Sequence, residues 1–154
     1  MYLWMVILLM FVVPIISIVV QVLIDKNALG ITPLIGRWFV FWGVGIRLVS
    51  AGLRQSLRPQ FTSEEIFGIS GSEPWPIVEE LGFANLSMGI LGVASILNRS
   101  WVVPAAIAGG LFFGFAGLRH AARRSRNRAE NIAMISDLFL FCVLSGFLIA
   151  TVIS

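Results

Sequence analysis

Few side chains in this 154-residue sequence could do chemistry, and they stand in otherwise apolar stretches. Arg47, Glu79, Glu80, Asn85, His120, Glu130 and Asp137 are those whose types and spacing could build a site. A guanidinium, carboxylates, an imidazole and a carboxamide could bind an anionic or lipophilic ligand through hydrogen bonds, or pass a proton along a relay. They form no catalytic constellation. Glu79 and Glu80 are neighbours about 100° apart on a helix, so they do not by themselves make a facing acid/base pair. His120 with Asp137 could be a relay, but nothing supplies a nucleophile. One histidine and one cysteine, Cys142, exclude a Cys/His zinc centre within one chain, because such centres take three or four N/S ligands. The lone thiol also excludes an intramolecular disulfide. No metal site is assigned, although carboxylate-rich sites stay open, and the residues identify no cofactor.

The elements that must position these groups follow from composition. The chain is 58% apolar and only 12% charged, with a mean hydropathy of +0.93, whereas an ordinary soluble domain carries about a quarter charged residues. Water could not solvate so much apolar surface, so lipid is the expected solvent. Crossing the hydrocarbon takes roughly 20 residues per helix. Five stretches meet that length, at about 3–24, 33–57, 76–97, 101–123 and 128–153. The expected fold is all-α: a single transmembrane helical bundle over 1–154, with a four-helix core, an N-terminal helix and a short interfacial helix. The first stretch lacks a basic n-region and a small-residue cleavage pattern, so it reads as a retained helix rather than a signal peptide.

Capping chemistry sets the expected ends. Thr32 before Pro33 starts the second helix, which ends before Pro59. Phe61-Thr62-Ser63-Glu64-Glu65-Ile66 has the form of a hydrophobic staple around a Thr62/Glu65 capping box, stopped by Gly68. Trp75 suits a headgroup belt. Ser100 caps the fourth helix, and Asn127 with Glu130 forms a capping pair for the fifth. Seven arginines in the second and fourth connections (Arg54, Arg58, Arg119, Arg123, Arg124, Arg126, Arg128) outnumber Lys26, Arg37 and Arg99 on the other side. The positive-inside rule then puts the N-terminus in the cytoplasm and the C-terminus outside. The basic run 119–128 is expected to meet anionic lipid headgroups, and the net charge of +3 speaks of topology rather than of nucleic acid.

Arg47, Arg54 and Arg58 fall near one stripe of the second helix, but only Arg47 is deep, about 16 Å along the axis from Arg58. A lone guanidinium there costs at least a few kcal/mol, so a partner is required. Glu79 and Glu80, entering with the third helix, are the nearest carboxylates in the hairpin. With Asn85, His120, Glu130 and Asp137 they all belong to one leaflet. Each has a plainer reading beside the functional one: Glu130 as a cap on the helix dipole, His120 as an interfacial side chain, the Arg47 ion pair as a device fixing register, and the glycine stripes as close packing.

The runs RLVSAGLRQSLRPQF (47–61), EEIFGI (64–69), EPWPIVEELGFANLSMGILG (73–92) and GFAGLRHAARRSRNRAENIAMISDL (114–138) resemble a family of small bacterial membrane proteins of unknown function, and distantly DoxX-type four-helix membrane proteins. The resemblance covers 36–153 and leaves the first helix as an addition. It implies a motif carried by Glu80, Gly82, Asn85, His120, Asn131 and Asp137. Where the family pattern has a histidine near the end of the second helix, this chain has Arg54 or Gln55, which weakens a metal or proton-relay role. The resemblance implies the fold and a bacterial inner-membrane setting, with a lean toward membrane redox chemistry, but no activity.

Two functions are therefore expected. One is a non-catalytic accessory subunit whose small-residue faces pack on a membrane-protein partner or a second copy of itself. The other is a cytoplasmic-side pocket for a lipophilic or anionic small molecule, such as a quinone or a lipid headgroup. Transport is disfavoured because the opposite half offers no polar route.

Overall fold

Apolar residues interrupted only by Ser17 and Gln21 make the first helix, α1 (Leu3–Ile24), which also contains Pro14. That proline has no N–H to give and its ring crowds the carbonyl four residues back; the preceding Leu8–Val12 is wound as a wide π-type turn that relieves both. The computed structural model describes residues 2–25 and 30–153, with Tyr2 by its backbone alone. Lys26, one of the cations counted above, lies outside them. Four further long helices follow: α2 (Ile31–Leu57), α3 (Trp75–Ala94), α4 (Arg99–Ala122) and α5 (Arg128–Ile153). All five are long and apolar enough to cross a membrane, and no strand occurs among the described residues. The fold is thus an all-α helical bundle.

Helix ends agree with the expected ones to within a few residues, but several caps differ. Gly30, not Thr32, is the N-cap of α2, and no side chain bonds there. The 61–66 segment is a single π-type helix whose N-cap is Gln60, so the Thr62/Glu65 box does not form. Pro59 already starts the turn, and Ser63 is turned inward, donating to the Ile69 carbonyl at 2.6 Å. Gly68 stops it with φ +67°, a left-handed conformation that suits glycine. Asn98, not Ser100, caps α4: its extended backbone lets Oδ1 accept from the Ser100 amide at 3.0 Å and its hydroxyl at 2.8 Å.

At the start of α5 half of the expected capping pair is present. Asn127 Oδ1 accepts from the Glu130 amide at 2.8 Å, while Asn127 Nδ2 donates to the Glu65 carbonyl at 2.8 Å, tying α5 to the 61–66 turn. The Glu130 carboxylate turns elsewhere. Asn127→Ala is expected to lower stability by about 1 kcal/mol, measurable as a shift in the unfolding midpoint in mild detergent.

Packing is arranged by glycine. A Cβ on Gly92 would lie 2.6 Å from the Gly45 nitrogen, and one on Gly89 would lie 2.6 Å from the Val49 nitrogen, so α2 and α3 meet backbone to backbone. Gly36 faces Phe147 and Gly43 faces Leu140, which sets α5 antiparallel against another side of α2. Gly109, Gly114 and Gly117 of α4 receive Val44, Phe141 and Leu138. Helix α1 joins through Trp38 Nε1 donating to Gln21 Oε1 at 2.8 Å and Trp42 Nε1 donating to Ser17 Oγ at 3.0 Å. Its inward face is buried at Val6, Leu9, Met10 and Ile18, and its outward face exposes large aliphatic side chains such as Leu8, Ile15, Ile16 and Leu23. Cys142 is also exposed.

Candidate functional site

The α2–α5 register decides where the buried guanidinium goes. Gly36 against Phe147 and Gly43 against Leu140 put position 47 opposite position 137, one turn further along each helix. Arg47 Nη2 accordingly donates to Asp137 Oδ1 at 2.5 Å and to Ser136 Oγ at 2.8 Å. Its Nη1 reaches Met10 Sδ of α1 at 3.6 Å, and the guanidinium lies over the Phe113 ring of α4, 4.7 Å from the centroid. Arg47 and Asp137 are both buried, so the pair is held by groups from α1, α2, α4 and α5.

This corrects the expected pairing with Glu79 or Glu80. The α2 surface facing α3 is taken up by the glycine contact, leaving no room for a guanidinium between those helices. Gly82 faces Gln55 and Ser56, and Glu80, two residues earlier and about 200° around the helix, is exposed. Glu79 is half-buried and, like Glu80, stands outside the cluster.

Asn85 is brought in by the same α2–α3 contact. It is 2% exposed, and its Nδ2 donates to Gln55 Oε1 at 2.7 Å. Its Oδ1 is buried without a hydrogen-bond donor. A buried amide oxygen left in that state costs about 1–3 kcal/mol.

The turn between α4 and α5 supplies a second charged group. Glu130, almost wholly buried, accepts through Oε1 from Arg123 Nη1 at 3.1 Å, and His120 Nδ1 lies 3.0 Å from the same oxygen. The Phe67 ring stacks on His120, with centroids 6.4 Å apart, and Arg123 Nη1 also donates to the Phe67 carbonyl at 3.2 Å. Arg126 closes the α4 C-terminus, donating to the carbonyls of His120, Ala121 and Arg123, and its Nε holds Asn131 Oδ1 at 2.9 Å. Cations so placed satisfy terminal carbonyls and oppose the helix dipole. Asn131 therefore belongs to this turn and does not face the other groups.

Arg47, Asn85, His120 and Asp137 line one cavity of about 640 Å³ between α2, α3, α4 and the 61–69 segment. Its walls are mostly apolar, with Leu48, Ile66, Leu81 and Phe112 among them. Glu130 lies just behind, bonded to His120. Several polar lining groups were not singled out as site residues from the sequence: Gln55, Arg54, Arg119 and Arg123. Gln55 was legible in principle, since glycines Gly45 and Gly52 of α2 against Gly92 and Gly82 of α3 fix a register that brings it to Asn85. Arg54 lies seven residues after Arg47, on the same stripe. Its guanidinium sits over Phe61, 4.7 Å from the ring centroid.

No curated protein and no solved structure matches the chain. A family model does match, and it spans residues 4–153. The first helix therefore belongs to the family's pattern and is not an addition to it, in keeping with Met10 of α1 touching Arg47. With nearly its whole length covered, the chain belongs to the Family of unknown function (DUF6790).

Proposed function

We propose that this chain spans a cell membrane with its five helices and binds a lipophilic small molecule in the cavity between α2, α3 and α4. The observation that carries this reading is the cavity itself. A volume of about 640 Å³, mostly apolar walls and a few convergent polar groups match the makeup of small-molecule sites, which run roughly 300–1,000 Å³. Arg47, Arg54 and Asn85 at its wall give an occupant polar groups beside the apolar surface. By the charge asymmetry of the connections, the cavity end faces the cytoplasm and the N-terminus lies on that side. Glycine faces that would have been offered to a partner subunit are filled by the chain's own helices: α2 covers Gly82, Gly89 and Gly92 of α3, and α5 covers Gly114 and Gly117 of α4. The accessory-subunit reading loses its main support with them.

Native mass spectrometry of protein purified in neutral detergent is expected to show a bound quinone or lipid. Ala116 lines the cavity and is small, so Ala116→Trp should remove the adduct while circular dichroism stays unchanged. If wild-type protein carries no adduct, and gains none from a total membrane lipid extract, the reading is wrong.

A further inference from the structure

The charges lining the cavity do not cancel, and their imbalance selects among lipophilic ligands. Arg47 is matched by Asp137, and Arg123 by Glu130. Arg54 and Arg119 line the same cavity, and no carboxylate lies in ion-pair range of either among the described residues. The Arg54 guanidinium meets the Phe61 ring and, at 4.0 Å, Met5 Sδ, soft contacts, and among the described residues no oxygen acceptor is bonded to it. Arg119 is exposed at the cavity edge. Asn85 also lines the cavity, with its Nδ2 donated to Gln55. Part of the apolar wall, including Ile77 and Leu81 of α3 and Phe112 and Ala116 of α4, comes from two helices that touch each other far less than α2 touches α3 or α4 touches α5.

We infer that the ligand is an anionic amphiphile: an acid head held by Arg54 and Arg119, and an apolar tail lying between α3 and α4. The inference rests on the proposed function and narrows it. A neutral quinone would leave both arginines uncompensated. A charged head supplies the fixed geometry that guanidinium forks favour. The sparse α3–α4 seam gives the tail a route from surrounding acyl chains, so the ligand need not pass through water.

The test uses three probes on the full chain in neutral detergent, with binding followed by native mass spectrometry. Oleoyl lysophosphatidate has the acid, a hydroxyl and the tail; monooleoylglycerol lacks the acid; glycerol phosphate lacks the tail. Lysophosphatidate is expected to bind at least about tenfold more tightly than either of the others. The double variant Arg54→Gln/Arg119→Gln should bring its affinity down to that of monooleoylglycerol and leave monooleoylglycerol binding unchanged. Equal binding of lysophosphatidate and monooleoylglycerol would overturn the acid-head inference and leave the lipophilic cavity standing. Equal binding of glycerol phosphate would overturn the tail and mark a site for soluble anions. If none binds, the inference falls, and the lipid-extract experiment then decides the broader reading separately.

Discussion

Asp137→Leu is expected to cost about 3–5 kcal/mol of stability, because it leaves the Arg47 guanidinium buried with only Ser136, Met10 and the Phe113 ring for company. The pair itself is a different matter. Desolvating both charges consumes much of their attraction, and a buried ion pair exchanged for apolar side chains of similar volume is often neutral or stabilising. The double variant Arg47→Met/Asp137→Leu should therefore recover most of the loss. Reversible unfolding in mixed micelles, read by circular dichroism, would measure the single variants and the double in one cycle. A single Asp137→Leu as stable as wild type would mean that the guanidinium finds water without its partner. The double variant also separates roles: restored stability without ligand binding would assign the pair to the cavity's chemistry as well as to the register of α2 on α5.

The second large effect concerns the α2–α3 contact. A Cβ on Gly92 would lie 2.6 Å from the Gly45 nitrogen and 2.7 Å from its Cα, atoms that cannot rotate away. Gly92→Leu must push the two helices apart, at a cost of about 3 kcal/mol. It should also part Asn85 from Gln55, so ligand binding should fall with stability. Gly146 is the matching control: nothing lies within 4 Å of a Cβ built there. Gly146→Ala, in the middle of α5, should be neutral or stabilise by up to about 1 kcal/mol. A Gly92→Leu protein as stable as the Gly146→Ala protein would show that helix propensity, and not contact, decides the outcome at Gly92.

Much of the architecture was legible because it depends on composition and length alone. Apolar runs bounded by Pro33, Asn98 and Asn127 locate α2, α4 and α5 closely, since few other structures can bury such runs. Caps were less legible: Asn98 and Ser100 are both good cap residues two positions apart, and only the extended backbone at Asn98 decides between them. At the site, the need for a partner at Arg47 followed from the cost of an isolated charge, yet its identity did not. Sequence proximity favoured the hairpin neighbour α3, whereas the partner is set by which glycine stripe faces which helix. Glycines at 36 and 43 pair with large side chains of α5, and those at 45 and 52 pair with the backbone and side chains of α3. Two stripes so close in sequence are separable only once the winding of α2 is known.

That winding departs from the α form at Val40–Ile46, immediately before Arg47. A wide turn of this kind amounts to one surplus residue accommodated inside an otherwise regular helix. Losing a residue from α2 before position 40 would rotate all that follows by about 100° and swing the cation away from its acid. Losing one between 40 and 46 would let the turn tighten and keep the same side chains facing one another. The stretch thus serves as slack in the spool, the place where α2 can shorten by a residue while its two ends stay in phase.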